Sequence, residues 1–313
     1  MFTKSTLNDN NRNSEMVTAS KIAHGFEMVG CDGLNVGQFE FAAGYDFLKS
    51  IVDTSDIPFI SANLKNVSNG GYAFIPYRII ERNGFKIGVT GVTNLLPANI
   101  NDLKMEPYLE TGQQMIDELK FKTDFIVMLV NAKQNEYKKV KDTFADADYL
   151  FLSGSTQKTR PDKDQAIDGP KEYSCGKQGK YLTQIDLTIT NIDSPVVDIS
   201  SAAAKMKTIN KRLENLQKRD PEKPLLEIFA DNKTMLKLIK DYELQQVEAQ
   251  KTLDRAVNTN EYTSVSMSRK IKDQAEVLDF VSSALLEIKS IKKSERKPIN
   301  AANQKRKVTK KRS

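Results

Sequence analysis

The 313-residue chain holds one histidine, His24, and two cysteines, Cys31 and Cys175. A dinuclear hydrolytic centre needs several imidazoles and carboxylates, because divalent metals held for hydrolysis require fixed nitrogen and oxygen donors. One imidazole does not meet that need. The cysteines form no CxxC pair and no disulfide framework, so neither a zinc site nor a redox compartment follows from them. His24 lies inside a helical pattern with no His, Cys or Asp cluster around it, and reads as a partly exposed helix histidine. Several polar side chains follow apolar runs. Gln38, Phe39 and Glu40 follow Gly33–Val36, Asn131 follows 124–130, and Ser155 and Gln157 follow 147–154. The amides among them are neutral donors suited to weak Ca²⁺ or Mg²⁺ contact, without the charge needed to acidify a bridging water. No P-loop, nucleophile elbow or paired Cys/His site occurs, and Gly176-Lys-Gln-Gly179 reads as a turn.

These positions require alternating strands and helices. After a polar, Asn-rich start, Ser14 is predicted to cap a helix with Met16, Ile22, Ala23, Phe26 and Val29 on one face, ended by Gly30. Gly33–Val36 reads as a short buried strand, 41–52 as a helix and 57–64 as a strand. Asn83-Gly84 between two alternating runs (77–92) is a strong hairpin signal. A helix over 110–120, a strand over 124–130 with the unbroken apolar run of a doubly covered element, a helix over 134–144 and strands over 147–154 and 180–190 complete an α/β body. Beyond residue 198 the period becomes helical. Met206, Ile209, Leu213 and Leu216 form one seam and Met235 to Ala256 a second, in a helix opening at Leu225. Residues 258–265 interrupt the pattern, and a third helix carries Ile271, Leu278, Val281, Leu285 and Ile288. Three amphipathic helices here predict an antiparallel hairpin or small bundle.

The run Gly30-Cys31-Asp32-Gly33-Leu34-Asn35-Val36-Gly37-Gln38-Phe39-Glu40-Phe41, the segment Ile57-Pro-Phe-Ile-Ser-Ala-Asn-Leu64 and the hairpin 77–92 occur in the order seen in calcineurin-like metallophosphoesterases of the 5'-nucleotidase branch. The chain resembles that family over about residues 14–190. The resemblance implies a metallophosphoesterase-like β-sandwich flanked by helices. It also implies that Gln38 and Phe39 stand where the family's G-N-H-E motif has its metal-binding Asn and its His, with Glu40 kept in a structural role. Asn131 replaces a metal-binding His, and Ser155 and Gln157 replace the two of G-G-H-x-H. Gly37 to Phe41, Asn131 and Gly154 to Gln157 are then expected at one rim. Two further ligand elements, a D-x-H strand and a G-D loop, would precede Met1, and the family's base-stacking second domain is replaced by helices. No catalytic, metal-binding or cofactor-binding residue, and no cofactor, is assigned on this basis.

The net charge of +6 averages two unlike parts. Residues 289–313 carry eleven Lys or Arg against Glu295, for +10, whereas the other 288 residues carry 36 bases and 40 acids, for −4. The organisation expected is a degenerate metallophosphoesterase-like domain over 1–198, a helical or coiled-coil region over 199–290 and a basic, disordered tail over 291–313. The tail suits non-specific polyanion binding, to nucleic acid or anionic lipid, and the C-terminal helices suit a protein partner. No run of 18 apolar residues exists to span a membrane, and residues 1–14 lack the apolar core of a signal peptide, although the family is often periplasmic or secreted. Three functions fit: an inactive binding or scaffold module, a metal-dependent phosphohydrolase whose missing ligands lie upstream of Met1, or a polyanion binder acting through the tail.

Overall fold

The structure, a computed structural model, describes residues 1–2, 7–166, 168–177 and 179–295. In chain order the elements are α1 (Arg12–Met28), β1 (Leu34–Asn35), α2 (Tyr45–Thr54), β2 (Phe59–Ile60), β3 (Leu64–Asn66), β4 (Tyr77–Arg82), β5 (Phe85–Thr93) and β6 (Leu103–Met105). They continue with α3 (Tyr108–Leu119), β7 (Phe125–Asn131), α4 (Tyr137–Thr143), β8 (Tyr149–Ser153), β9 (Lys171–Tyr173), β10 (Tyr181–Thr188) and β11 (Val196–Asp198). The last are α5 (Ser200–Gln217), α6 (Leu225–Ile228), α7 (Lys233–Arg255), β12 (Asn258–Ser266) and α8 (Ala275–Glu295). Among the described residues they divide between two compact units, 1–156 with 268–295, and 157–267.

The first unit is mixed α/β. Its main sheet runs β4-β5-β7-β8: β4 and β5 form the hairpin, and β5, β7 and β8 are mutually parallel. The hairpin turn places Asn83 at φ 51° and Gly84 at φ 85°, a left-handed pair that this dipeptide adopts at low cost. Strand β7 is apolar from Phe125 to Val130, with Met128 and Val130 buried on one face and Val127 and Leu129 half-buried on the other. On one side Met128, Val130 and Leu150 join Met115, Ile116 and Leu119 of α3 and Val140 and Phe144. Elsewhere in the unit Phe41, Leu48, Phe59, Leu64 and the α1 residues Ala19 and Ala23 form a second cluster. Short parallel strands β1 and β2 bring the loop after Asn35 toward the carboxyl end of β7.

The second unit is built on the sheet β10-β12-β11, with β10 antiparallel and β11 parallel to β12. Helices α5 and α7 pack together as an antiparallel pair, shown by Gln246 to Asn210 (2.6 Å) and Arg212 to Tyr242 (3.2 Å).

Several sequence expectations are corrected here. The region 199–290 is not all-helical, because 258–266 is the central strand β12. Its buried polar residues hid it. Asn258 meets its own hydrogen-bonding needs by accepting from the N–H groups of Thr190 (2.8 Å) and Asn191 (3.0 Å) and donating to the carbonyls of Asn191 and Ser194 (both 2.6 Å). The helix expected from Leu225 is broken, and α7 begins afresh where the Asn232 side chain accepts from Met235 N–H (3.1 Å). The third helix, α8, belongs to the first unit, whereas α5 and α7 belong to the second. It lies antiparallel on α1, held by Lys21–Glu287 (2.9 Å) and by Phe280 edge-on to His24 (4.9 Å between centroids). It runs to Glu295, past the boundary expected at 290. Residues 296–313, most of the basic tail, lie outside the described residues. Helix α1 starts at Arg12 rather than after Ser14, and α2 starts at Tyr45 rather than Phe41. Among the described residues no helix is long and apolar enough to cross a membrane.

Candidate functional site

The carboxyl ends of β5, β7 and β8 and the loop after β1 meet at one rim, and Asn131, the last residue of β7, is its hub. Its side chain is buried, with the residue 6% exposed, and its polar atoms are engaged. Oδ1 accepts from the Thr93 hydroxyl (3.0 Å) and from the Gln38 N–H (3.3 Å), while Nδ2 donates to Ser153 Oγ (3.1 Å). The approach of the loop is so close that a Cβ on Gly37 would stand 2.8 Å from Asn131 Cγ. Glycine is therefore required here by packing. One amide thus ties β5, β7, β8 and the Gly37-Gln38 turn together.

Each sequence-derived position can now be placed. The Gln38 side chain lines the adjoining cleft. Phe39 is partly buried against the Phe41 cluster. Glu40 closes its own turn, with Oε2 accepting from Gly37 N–H (3.0 Å) and Oε1 from the Met1 α-ammonium (2.8 Å). Ser155 is reached through the Tyr137 hydroxyl, 2.9 Å from its Oγ. Gln157 is the first residue of the second unit. The structure therefore joins Gln38 to Asn131 directly, and Ser155 lies near Asn131 on the β8 side, since Tyr137 also donates to the Ser153 carbonyl (3.3 Å).

Two residues at this rim carried no role in the sequence reading. Asn63, fully buried, accepts from Thr93 N–H (3.0 Å) and donates to the carbonyls of Thr93 (2.8 Å) and Glu106 (3.1 Å), fixing the end of β5. Its segment, Ser-Ala-Asn-Leu, was the available signal. Tyr108 donates to Glu136 Oε2 (3.0 Å). Partial burial, reinforced by that carboxylate, pushes its hydroxyl up to about 12. Beside them a cleft of about 520 Å³ opens between Gln38, Asn94, Leu95, Leu96, Lys133 and Glu136. Its lining is mixed, with one cation, one carboxylate, amides and two leucines.

The metal pair implied by the family resemblance does not fit these residues. A metal at Asn131 would have to replace donors that already occupy Oδ1, and Gln38 and Ser155 offer neutral oxygens. Among the described residues no three His, Cys, Asp or Glu side chains gather into a metal-holding group.

No family model matches the sequence. UshA from Salmonella pullorum is 27% identical over 130 residues, which is 40% of this chain and 24% of that protein. A 5'-nucleotidase from Vibrio cholerae is 28% identical over 115 residues, 35% and 21% of the two chains. Among solved structures, the calcineurin-like phosphoesterase YfkN from Bacillus subtilis superposes with a TM-score of 0.56 at 15% identity, covering 90% of this chain and 78% of that one. The chain is thus similar in part of its sequence to 5'-nucleotidases and similar in fold to a calcineurin-like phosphoesterase. It spans about a quarter of the length of the curated relatives it matches.

Proposed function

We propose that this protein is a catalytically inactive member of the metallophosphoesterase fold that works as a binding or scaffold module. The observation that carries this reading is the state of Asn131. At the position where the resemblance implies a metal-binding His, a neutral amide is locked between Thr93, Gln38 and Ser153. Phe39, where the resemblance implies the His that stabilises the transition state, has no proton to give or take. What remains functional on this reading is the rim itself. Its turn, strand ends and cleft are rigidly tied and present a mixed polar and apolar surface to a ligand. Protein partners through the C-terminal helices, and polyanions through residues 289–313, are proposed on the same footing. The test is hydrolysis of an aryl phosphate and of a 5'-nucleotide by the full chain with added Mn²⁺. No turnover above background is expected, and turnover that disappears on chelation would overturn the proposal.

A further inference from the structure

Strand β10 of the second unit has one edge paired with β12 along all eight residues, from Tyr181↔Ser266 to Thr188↔Thr259. Among the described residues no strand pairs with its other edge. The parity of that edge follows from one bond, Met267 N–H to the Lys180 carbonyl (2.9 Å). In an antiparallel ladder, hydrogen-bonded pairs recur at every second residue. Leu182, Gln184, Asp186 and Thr188 therefore direct their backbone groups at β12. Tyr181, Thr183, Ile185 and Leu187 direct theirs outward.

The sequence of this strand, Tyr-Leu-Thr-Gln-Ile-Asp-Leu-Thr, has one charge and no proline, and the side chains of Leu182, Gln184, Asp186 and Thr188 are exposed. Edge strands are ordinarily blunted by charge, proline or a covering loop. The edge strand β4 of the main sheet is blunted in this way. Its Arg82 is paired with Asp32 (2.8 Å), and Arg78 reaches the Asp32 carbonyl (3.5 Å). Strand β10 has one such guard, Asp186, whose carboxylate is held by the Gln184 amide of the same strand (3.0 and 3.1 Å).

We propose that β10 is an interaction edge and that its occupant is β10 of a second copy of this chain, paired antiparallel about a two-fold axis at Thr183. Charge selects the register. Centring on Thr183 sets Lys180 of each copy against Asp186 of the other, giving two cross-strand ion pairs, and sets Leu182 against Gln184. Centring on Gln184 would place Leu182 against Asp186. Centring on Asp186 would oppose two like charges, which destabilises a strand pair. In the chosen register Tyr181 and Ile185 of opposite copies, and the two Thr183 residues, exchange the outward hydrogen bonds. Two three-stranded sheets become one of six, and two open edges are removed.

Sedimentation velocity of the full chain across a concentration series tests this. A reversible monomer–dimer equilibrium is expected. Thr183→Pro removes the outward N–H, together with a hydroxyl that contacts Cys175 Sγ (3.2 Å), but no bond of the β10–β12 ladder, so it should abolish the dimer while leaving the circular dichroism of the chain in place. Asp186→Lys should weaken association roughly tenfold by turning two attractions into repulsions, and adding Lys180→Asp to it should restore the affinity. This charge pair keeps the test decisive should the proline variant not fold. A chain that stays monomeric at every concentration overturns the proposal. So does a dimer indifferent to the charge reversal and its rescue, or an edge that takes up an unrelated extended peptide while the chain remains monomeric.

Discussion

Asn131 shows what an amide can do for a fold at a position where the resemblance implies a metal-binding His. A histidine turned toward a metal contributes to the site; an amide turned inward connects three strand ends and a turn. Because its oxygen serves the Thr93 hydroxyl and the Gln38 N–H while its nitrogen serves Ser153, Asn131→Leu would leave the Gln38 N–H without its acceptor and take one bond each from Thr93 and Ser153, which keep the Asn131 and Val130 carbonyls. A loss of about 1–3 kcal/mol in unfolding free energy is expected, measured by urea denaturation. A variant as stable as the parent would mean that the rim is not tied through this side chain. Gln38, Phe39, Glu40 and Asn131 were singled out in the sequence through the family resemblance, not from composition or periodicity. The work of Asn63, Thr93 and Tyr108 was not legible there, since their roles come from partners distant along the chain: Asn63 to Thr93 spans 30 residues and Tyr108 to Glu136 spans 28.

At the level of elements, periodicity located most strands and helices but not which helices would pair. The apolar faces of α5, α7 and α8 look interchangeable in sequence, yet α8 selects α1. Two features of α1 account for this. The Phe280 ring rests on α1 at Gly25, 4.0 Å from where a Cβ would be, and Glu15 and Lys21 meet Lys292 (3.7 Å) and Glu287 (2.9 Å) on α8. Phe280→Ala should therefore cost about 1–2 kcal/mol, the value of a partly buried aromatic side chain. Hydrogen exchange should accelerate in α1 and α8 with α5 and α7 unchanged. Acceleration centred on α5 and α7 would show that the three C-terminal helices form one bundle after all. Strand β12 escaped the sequence reading for a different reason. Its buried positions are Asn258, Asn260 and Tyr262, so the alternation that marks a strand is written in satisfied polar groups rather than apolar ones.

For the whole molecule, charge is the property the sequence states most directly, with an acidic body joined to a basic end. The fold moves the boundary between them, because Lys289, Lys292 and Lys293 belong to helix α8, whose Glu295 accepts from Ser14 N–H (3.0 Å). A truncation that spares the fold should accordingly end at Glu295, removing eight bases and no acid. On the proposal that this segment binds polyanions, the full chain should bind heparin or duplex DNA without sequence preference. If it covers about 6 phosphates, log K should fall with log salt at a slope of roughly −5. The truncated chain should lose that binding and keep its thermal transition; undiminished binding would assign the affinity to the body instead. The central claim, that the domain keeps the phosphoesterase fold without its chemistry, is tested most directly by turnover. Purified full chain, equilibrated with excess Mn²⁺ and then assayed on an aryl phosphate before and after chelation, should give the same background rate in both states. A rate well above background that chelation abolishes would contradict the account.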